Sequence, residues 1–143
     1  MLQELIATGF FVGRFRYAPG TVGTLLGIPL VYLFAFKWWL VALLGIFLYL
    51  VGFWACSYVV DMRKESDPED VIIDEVLGYF LSYMLIEPTL ESVLVGFFTF
   101  RLLDIFKPYP INLFEKLPKG HGVMADDTVA GLINSVILFF LFH

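Results

Sequence analysis

A chain of 143 residues has the length of one domain. It is 59% hydrophobic, 18% aromatic and only 16% charged, against roughly 45–50% apolar and about 25% charged for ordinary globular chains, and a water-soluble domain this small has no interior able to hide so much apolar surface. The net charge of −5 argues against nucleic acid as a partner, because neutralising a phosphate backbone takes clustered Lys and Arg.

In chain order, Leu2 to Val12 reads as a short interfacial helix lying against the membrane surface, without the basic leader of a cleavable signal. Gly13 to Gly20 is a loop carrying Arg14 and Arg16, and Thr21 to Phe36 is a first apolar span interrupted by Gly23, Gly27 and Pro29. Lys37-Trp38-Trp39 suits the headgroup level. A second span, Leu40 to Val60, matches the roughly 20 residues a crossing takes. After a polar loop from Asp61 to Asp70, Val71 to Ile86 forms a third helix with Asp74 and Glu75 near its start, stopped by Glu87-Pro88. Leu90 to Phe106 is the fourth, Lys107 to Ala125 a long loop, and Thr128 to Phe142 the fifth. The expected fold is all-α: a polytopic membrane helical bundle of about five hydrophobic helices, with residues 1–143 forming one domain. Cys56, the sole cysteine, allows no internal disulfide. It also lacks the downstream Arg of a thiol phosphatase loop, because Met62 stands there.

With five crossings, Arg14, Arg16, Arg63, Lys64, Lys107, Lys116 and Lys119 share one side and Lys37 lies on the other. The positive-inside rule makes the basic side cytoplasmic. The acids from Asp61 to Glu75, with Asp126 and Asp127, fall on that same side.

Four stretches carry chemistry. In Ser66 to Gly78, Asp74 lies four residues after Asp70 and four before Gly78, so one helical stripe joins acids to a helix-contact glycine. Carboxylates stacked on a stripe repel unless a cation sits between them, and hard oxygen ligands suit Mg²⁺; acids at a helix start also complement its dipole. In Phe100 to Ile111, Arg101, Asp104 and Lys107 are spaced by three on one stripe. Asp104 is assigned to the metal, and Arg101 and Lys107 to phosphate oxygens; a purely structural ion pair is the plainer alternative. In Lys119 to Gly131, one of Asp126 and Asp127 is expected as the N-cap of the last helix, leaving the other for metal or water activation. His121 reads as a loop residue. In Ala18 to Thr24, Gly20, Thr21 and Thr24 at a helix start offer N–H groups to a phosphate.

Taken together, Ala18-Pro-Gly-Thr-Val-Gly-Thr24, Asp74-Glu75 with Gly78, Phe100-Arg-Leu-Leu-Asp-Ile-Phe-Lys-Pro-Tyr-Pro-Ile111 and Gly122-Val-Met-Ala-Asp-Asp-Thr-Val-Ala-Gly131 resemble the phosphatidylglycerophosphatase A family in order and spacing. The resemblance implies a Mg²⁺-dependent enzyme of the bacterial inner membrane, facing the cytoplasm, that takes the terminal phosphate from phosphatidylglycerophosphate. It gives Asp74, Glu75, Asp104, Asp126 and Asp127 catalytic roles, Asp67, Asp74, Glu75, Asp104 and Asp127 to the metal, and Arg101, Lys107, Gly20, Thr21 and Thr24 to the substrate. The family has His-Asp where this chain has Ser66-Asp67 and Gly-Gly where it has Lys119-Gly120, so Ser66 and Lys119 receive no role. A cation channel or transporter is the main alternative, since membrane carboxylates also line ion paths. It calls for acids spread through the bilayer depth, whereas these crowd one end. An alcohol phosphotransferase also uses Mg²⁺-binding aspartates, but its long Asp-Gly signature is missing. Oligomeric state has no signal in the sequence.

Overall fold

A computed structural model describes residues 2–9, 19–35, 37–64, 71–114, 116–117 and 120–142. The described residues are helical with no strands: α1 (Leu2–Ala7), α2 (Pro19–Phe34), α3 (Trp38–Arg63), α4 (Ile73–Leu81), α5 (Leu90–Phe106), α6 (Ile111–Phe114) and α7 (Gly120–Phe142). Two segments, Trp38–Arg63 and His121–Phe142, are long and apolar enough to cross a membrane, where the sequence reading expects about five crossings. α2 has 16 residues and α5 has 17. α4 has nine, about 14 Å of helix, too short to cross.

α4 is instead the buried centre of the bundle. Ile73, Asp74 and the run Leu77 to Leu81 are all buried, while the surrounding helices turn large apolar side chains outward. On α3, Leu43, Phe47, Leu50 and Trp54 form one exposed stripe at the three-and-four spacing of a helix face. An apolar surface this extensive suits lipid rather than water. Gly23 and Gly27 do not interrupt α2. They let it lie against α4, where a Cβ on Gly27 would meet the Tyr79 ring at 2.9 Å.

The closest approach is between α4 and α7. A Cβ on Gly78 would stand 2.6 Å from the carbonyl oxygen of Asp127, and one on Gly131 would collide with the backbone of Gly78. Three facing pairs fix a parallel register: Asp74 beside Asp127, Gly78 on Gly131, and Ser82 at Asn134, whose Nδ2 donates to Ser82 Oγ at 2.9 Å. α5 runs the other way. Thr99 Oγ1 donates to Asn134 Oδ1 at 2.6 Å, and Asn134 Nδ2 also reaches the Gly96 carbonyl at 3.1 Å. Below Asn134, Tyr79 and Tyr83 donate to the carbonyls of Val93 and Ser92 at 2.9 and 2.8 Å, so the hydroxyl and amide groups of this end are paired as burial requires.

The last helix starts earlier than its sequence suggests. Gly120 and Gly122 each weaken a helix by about 1 kcal/mol relative to Ala, yet α7 includes both. Tertiary contacts supply the difference: the His121 ring stacks on Phe53 with centroids 4.0 Å apart, and its Nδ1 shares a 2.8 Å hydrogen bond with Tyr49. Asp126 and Asp127 therefore lie in the second turn of α7, about 10 Å along the axis from its start, and neither is the N-cap that the sequence suggests.

Gly131→Ala is expected to force α4 and α7 apart and to lower the thermal unfolding midpoint in detergent, whereas Gly→Ala elsewhere in a helix interior is favourable by up to about 1 kcal/mol. A variant as stable as the parent would remove the close crossing.

Candidate active site

Three elements converge on one recess. α4 brings Asp74 and Glu75 in its first turn, α5 brings Asp104 in its last turn, and α7 brings Asp126 and Asp127 in its second. Four of these side chains belong to buried residues: Asp74, Asp104, Asp126 and Asp127 are 5%, 9%, 6% and 1% exposed. The ligand oxygens of Asp74, Asp126 and Asp127 lie within 4.8 Å of one another, and so do those of Glu75, Asp104 and Asp127.

Two cations face this acid cluster from the end of α5. Arg101 donates to Asp104 Oδ2. Lys107 Nζ lies 2.7 Å from Asp126 Oδ2 and 3.2 Å from Asp104 Oδ1, tying α5 to α7. Lys107 caps α5 in the left-handed region at φ 45°, a conformation that costs an L-residue roughly 1–2 kcal/mol. The turn is closed by its N–H donating to the Leu103 carbonyl at 2.8 Å. Burial acts to lower the Lys107 pKa, but the charges of Asp127 and Asp126 outweigh it and raise the pKa above its ordinary value, so the ammonium stays protonated.

The cations do not reach every acid. Asp74 Oδ1, Glu75 Oε2 and Asp127 Oδ1 are buried without a hydrogen-bond partner. Burial, then the neighbouring Glu75 charge, pushes the Asp74 carboxyl well above the usual carboxylate range, and burial does the same to Glu75. Orphaned buried oxygens are rare and costly. Carboxylate oxygens gathered as these are, in the groups Asp74, Asp126, Asp127 and Glu75, Asp104, Asp127, could hold a hard divalent cation such as Mg²⁺, and the residues fit that ion.

Of the residues singled out from the sequence, Asp74, Glu75, Arg101, Asp104, Lys107, Asp126 and Asp127 come together here. Asp67 lies outside the described residues. Gly20, Thr21 and Thr24 are not members of the carboxylate groups. They belong to the start of α2, whose Gly23 packs on Ile72 at the foot of α4. Sequence reasoning missed Asn134 and Ser82, although Asn134 follows Asp127 by seven residues, the spacing that returns a helix to the same face.

A family model described as Phosphatidylglycerophosphatase A matches residues 5–142. The chain is 38% identical over 147 residues to the phosphatidylglycerophosphatase A of Escherichia coli K12, covering 98% of this chain and 83% of that one. It is 34% identical over 143 residues to the Haemophilus influenzae protein of the same name, covering 95% and 86%. It is also 33% identical over 146 residues, covering 96% and 91%, to a Bacteroides thetaiotaomicron protein provisionally named a phosphatidylinositol-3-phosphatase. No solved structure matches the chain.

Lys107→Met leaves Asp104 and Asp126 without their shared ammonium. The variant is expected to be less stable by about 2 kcal/mol when divalent cations are chelated, and added Mg²⁺ should recover much of the loss in thermal unfolding. Equal stability of variant and parent under chelation would show that the bridge contributes nothing.

Proposed function

The chain belongs to the phosphatidylglycerophosphatase A family, and from that membership we propose that it hydrolyses the terminal phosphomonoester of phosphatidylglycerophosphate in the bacterial inner membrane, releasing phosphatidylglycerol and inorganic phosphate. The observation that carries the reading is the buried acid recess with its orphaned oxygens and flanking Arg101 and Lys107. In this reading Asp74, Glu75, Asp104, Asp126 and Asp127 hold Mg²⁺. Bound there, the ion would offset phosphoryl charge and acidify a water.

The chain's own groups do the rest. Lys107 and Arg101 supply donors for the phosphate oxygens on the open side of the recess. A carboxylate of the cluster accepts a proton from the attacking water; water oxygen bonds to phosphorus, the bond to the glycerol oxygen breaks, and the carboxylate passes that proton to the departing oxygen, which leaves as the alcohol. The N-terminal turn of α2, with Gly20 and Thr21, is a further place for phosphate oxygens. The exposed apolar faces of α3, α5 and α7 keep the acyl chains in lipid, so only the headgroup has to enter.

Charge placement favours this reading over an ion path. The acids gather at the end where α3 finishes at Arg63 and α7 begins, whereas Lys37, Glu87 and Glu91 lie at the other end, around two cavities beside Trp38, Trp39 and Phe142. A path for cations needs acids along its depth. With Arg63, Lys64, Lys107 and Lys116 on the acid side, the positive-inside rule turns the recess to the cytoplasm.

Asp104→Asn is expected to cut phosphate release from phosphatidylglycerophosphate in mixed micelles by about 10²–10⁴-fold, and chelation of Mg²⁺ should abolish release reversibly. Near-parental turnover in the variant or under chelation would overturn the metal-carboxylate mechanism. Phosphatidylinositol 3-phosphate in the same assay tests headgroup choice, and faster release from it would move the substrate assignment.

A further inference from the structure

Within the recess the five acids divide into two sets that share one member. Asp74 and Asp126 form a triad with Asp127; Glu75 and Asp104 form a second triad with the same Asp127. The orphaned oxygens follow that division. Asp74, with its unpartnered Oδ1, belongs to the first set, Glu75, with its unpartnered Oε2, to the second, and Asp127, with its unpartnered Oδ1, to both. Asp74 and Asp127 are 5% and 1% exposed, and a buried carboxylate oxygen left without a hydrogen-bond partner is costly, so these oxygens call for a ligand. Lys107 is placed evenly with respect to the two sets, since it bonds the outer member of each, Asp126 and Asp104.

We propose that the recess holds two divalent cations side by side, one among Asp74, Asp126 and Asp127 and the other among Glu75, Asp104 and Asp127, with the Asp127 carboxylate bridging them. The proposal rests on the reading of the site as a divalent-cation phosphatase and specifies how many ions that site takes.

Charge supports the number. Five carboxylates against Arg101 and Lys107 leave three formal negative charges in the recess. One divalent ion leaves one negative charge, which repels a phosphomonoester dianion. Two leave one positive charge, which attracts it. Coordination agrees, because Mg²⁺ usually takes one or two protein carboxylates and keeps several waters, so five carboxylates exceed what a single ion uses. A pair of ions about 3.5–4 Å apart is the spacing at which attacking and leaving oxygens of a phosphoryl transfer are both stabilised, and a carboxylate shared between two triads holds ions at such a spacing.

The test is a Mn²⁺ titration of the purified full chain in detergent after chelator stripping, with bound ions counted by equilibrium dialysis and their coupling read by electron paramagnetic resonance. Two Mn²⁺ per chain with an exchange-coupled spectrum are expected. Glu75→Gln and Asp126→Asn should each reduce the count to one and leave an isolated-ion spectrum. Asp127→Asn should abolish the coupling. One bound ion in the parent chain, or two without coupling, overturns the bridged pair while leaving the proposed function in place, provided phosphate release still depends on the cation. No binding together with cation-independent release overturns both. The parent spectrum decides the question even if a variant fails to fold.

Discussion

Everything in this molecule follows from how closely α4 approaches α7. Two glycines, Gly78 and Gly131, remove the side chains that would hold the helices at the usual 8–10 Å separation of axes, and backbone meets backbone at the crossing. One turn before each glycine stands an aspartate, so the contact that packs the helices also drives Asp74 against Asp127. Such crowding of like charge is unfavourable by itself. It persists because Asn134, Ser82 and Thr99 lock the same register one to two turns further along.

The second constraint is the central position of a helix too short to be a span. α4 is surrounded by α2, α3, α5 and α7, and past its nine residues Ser82 Oγ donates back to the Gly78 carbonyl while accepting from Asn134. Non-spanning backbone is tolerated at membrane depth only where protein encloses it. The outcome is a helix N-terminus, with two acids in its first turn, that faces Asp104, Asp126 and Asp127 of the neighbouring helices rather than a lipid surface. Helix-terminal N–H groups favour negative charge nearby, so the same end of α4 that carries Asp74 and Glu75 also suits a phosphate.

Arg101, Asp104 and Lys107 complete the chemistry from the end of α5. Lys107 leaves the helix in a left-handed turn that re-aims its side chain across to Asp126, and strained backbone of that kind is characteristic of functional positions. The recess thus presents anionic oxygens inside and cationic donors at its rim. A lipid phosphate fits that gradient: its headgroup carries charge to be neutralised, while its acyl chains need only the exposed apolar faces.

Much of this was legible in the chain itself. Composition alone requires a membrane environment, because apolar surface in such excess cannot be buried by so few residues. The spacings of Asp74 with Gly78, and of Arg101 with Asp104, announce which side chains share a face, since helical periodicity is local; Lys107 joins them through the left-handed turn that ends α5. Tertiary structure decided what locality cannot: that the third apolar stretch is helical over only nine buried residues, that Gly120 and Gly122 are recruited into α7 by Tyr49 and Phe53, and that Asp126 and Asp127 consequently sit in the second turn of the helix instead of capping it. Asn134 stayed silent in the sequence because an amide on an apolar helix has meaning only through its partners, and those lie on two other helices. Local pattern names the residues on a face; only the packing of one face on another decides which of them meet.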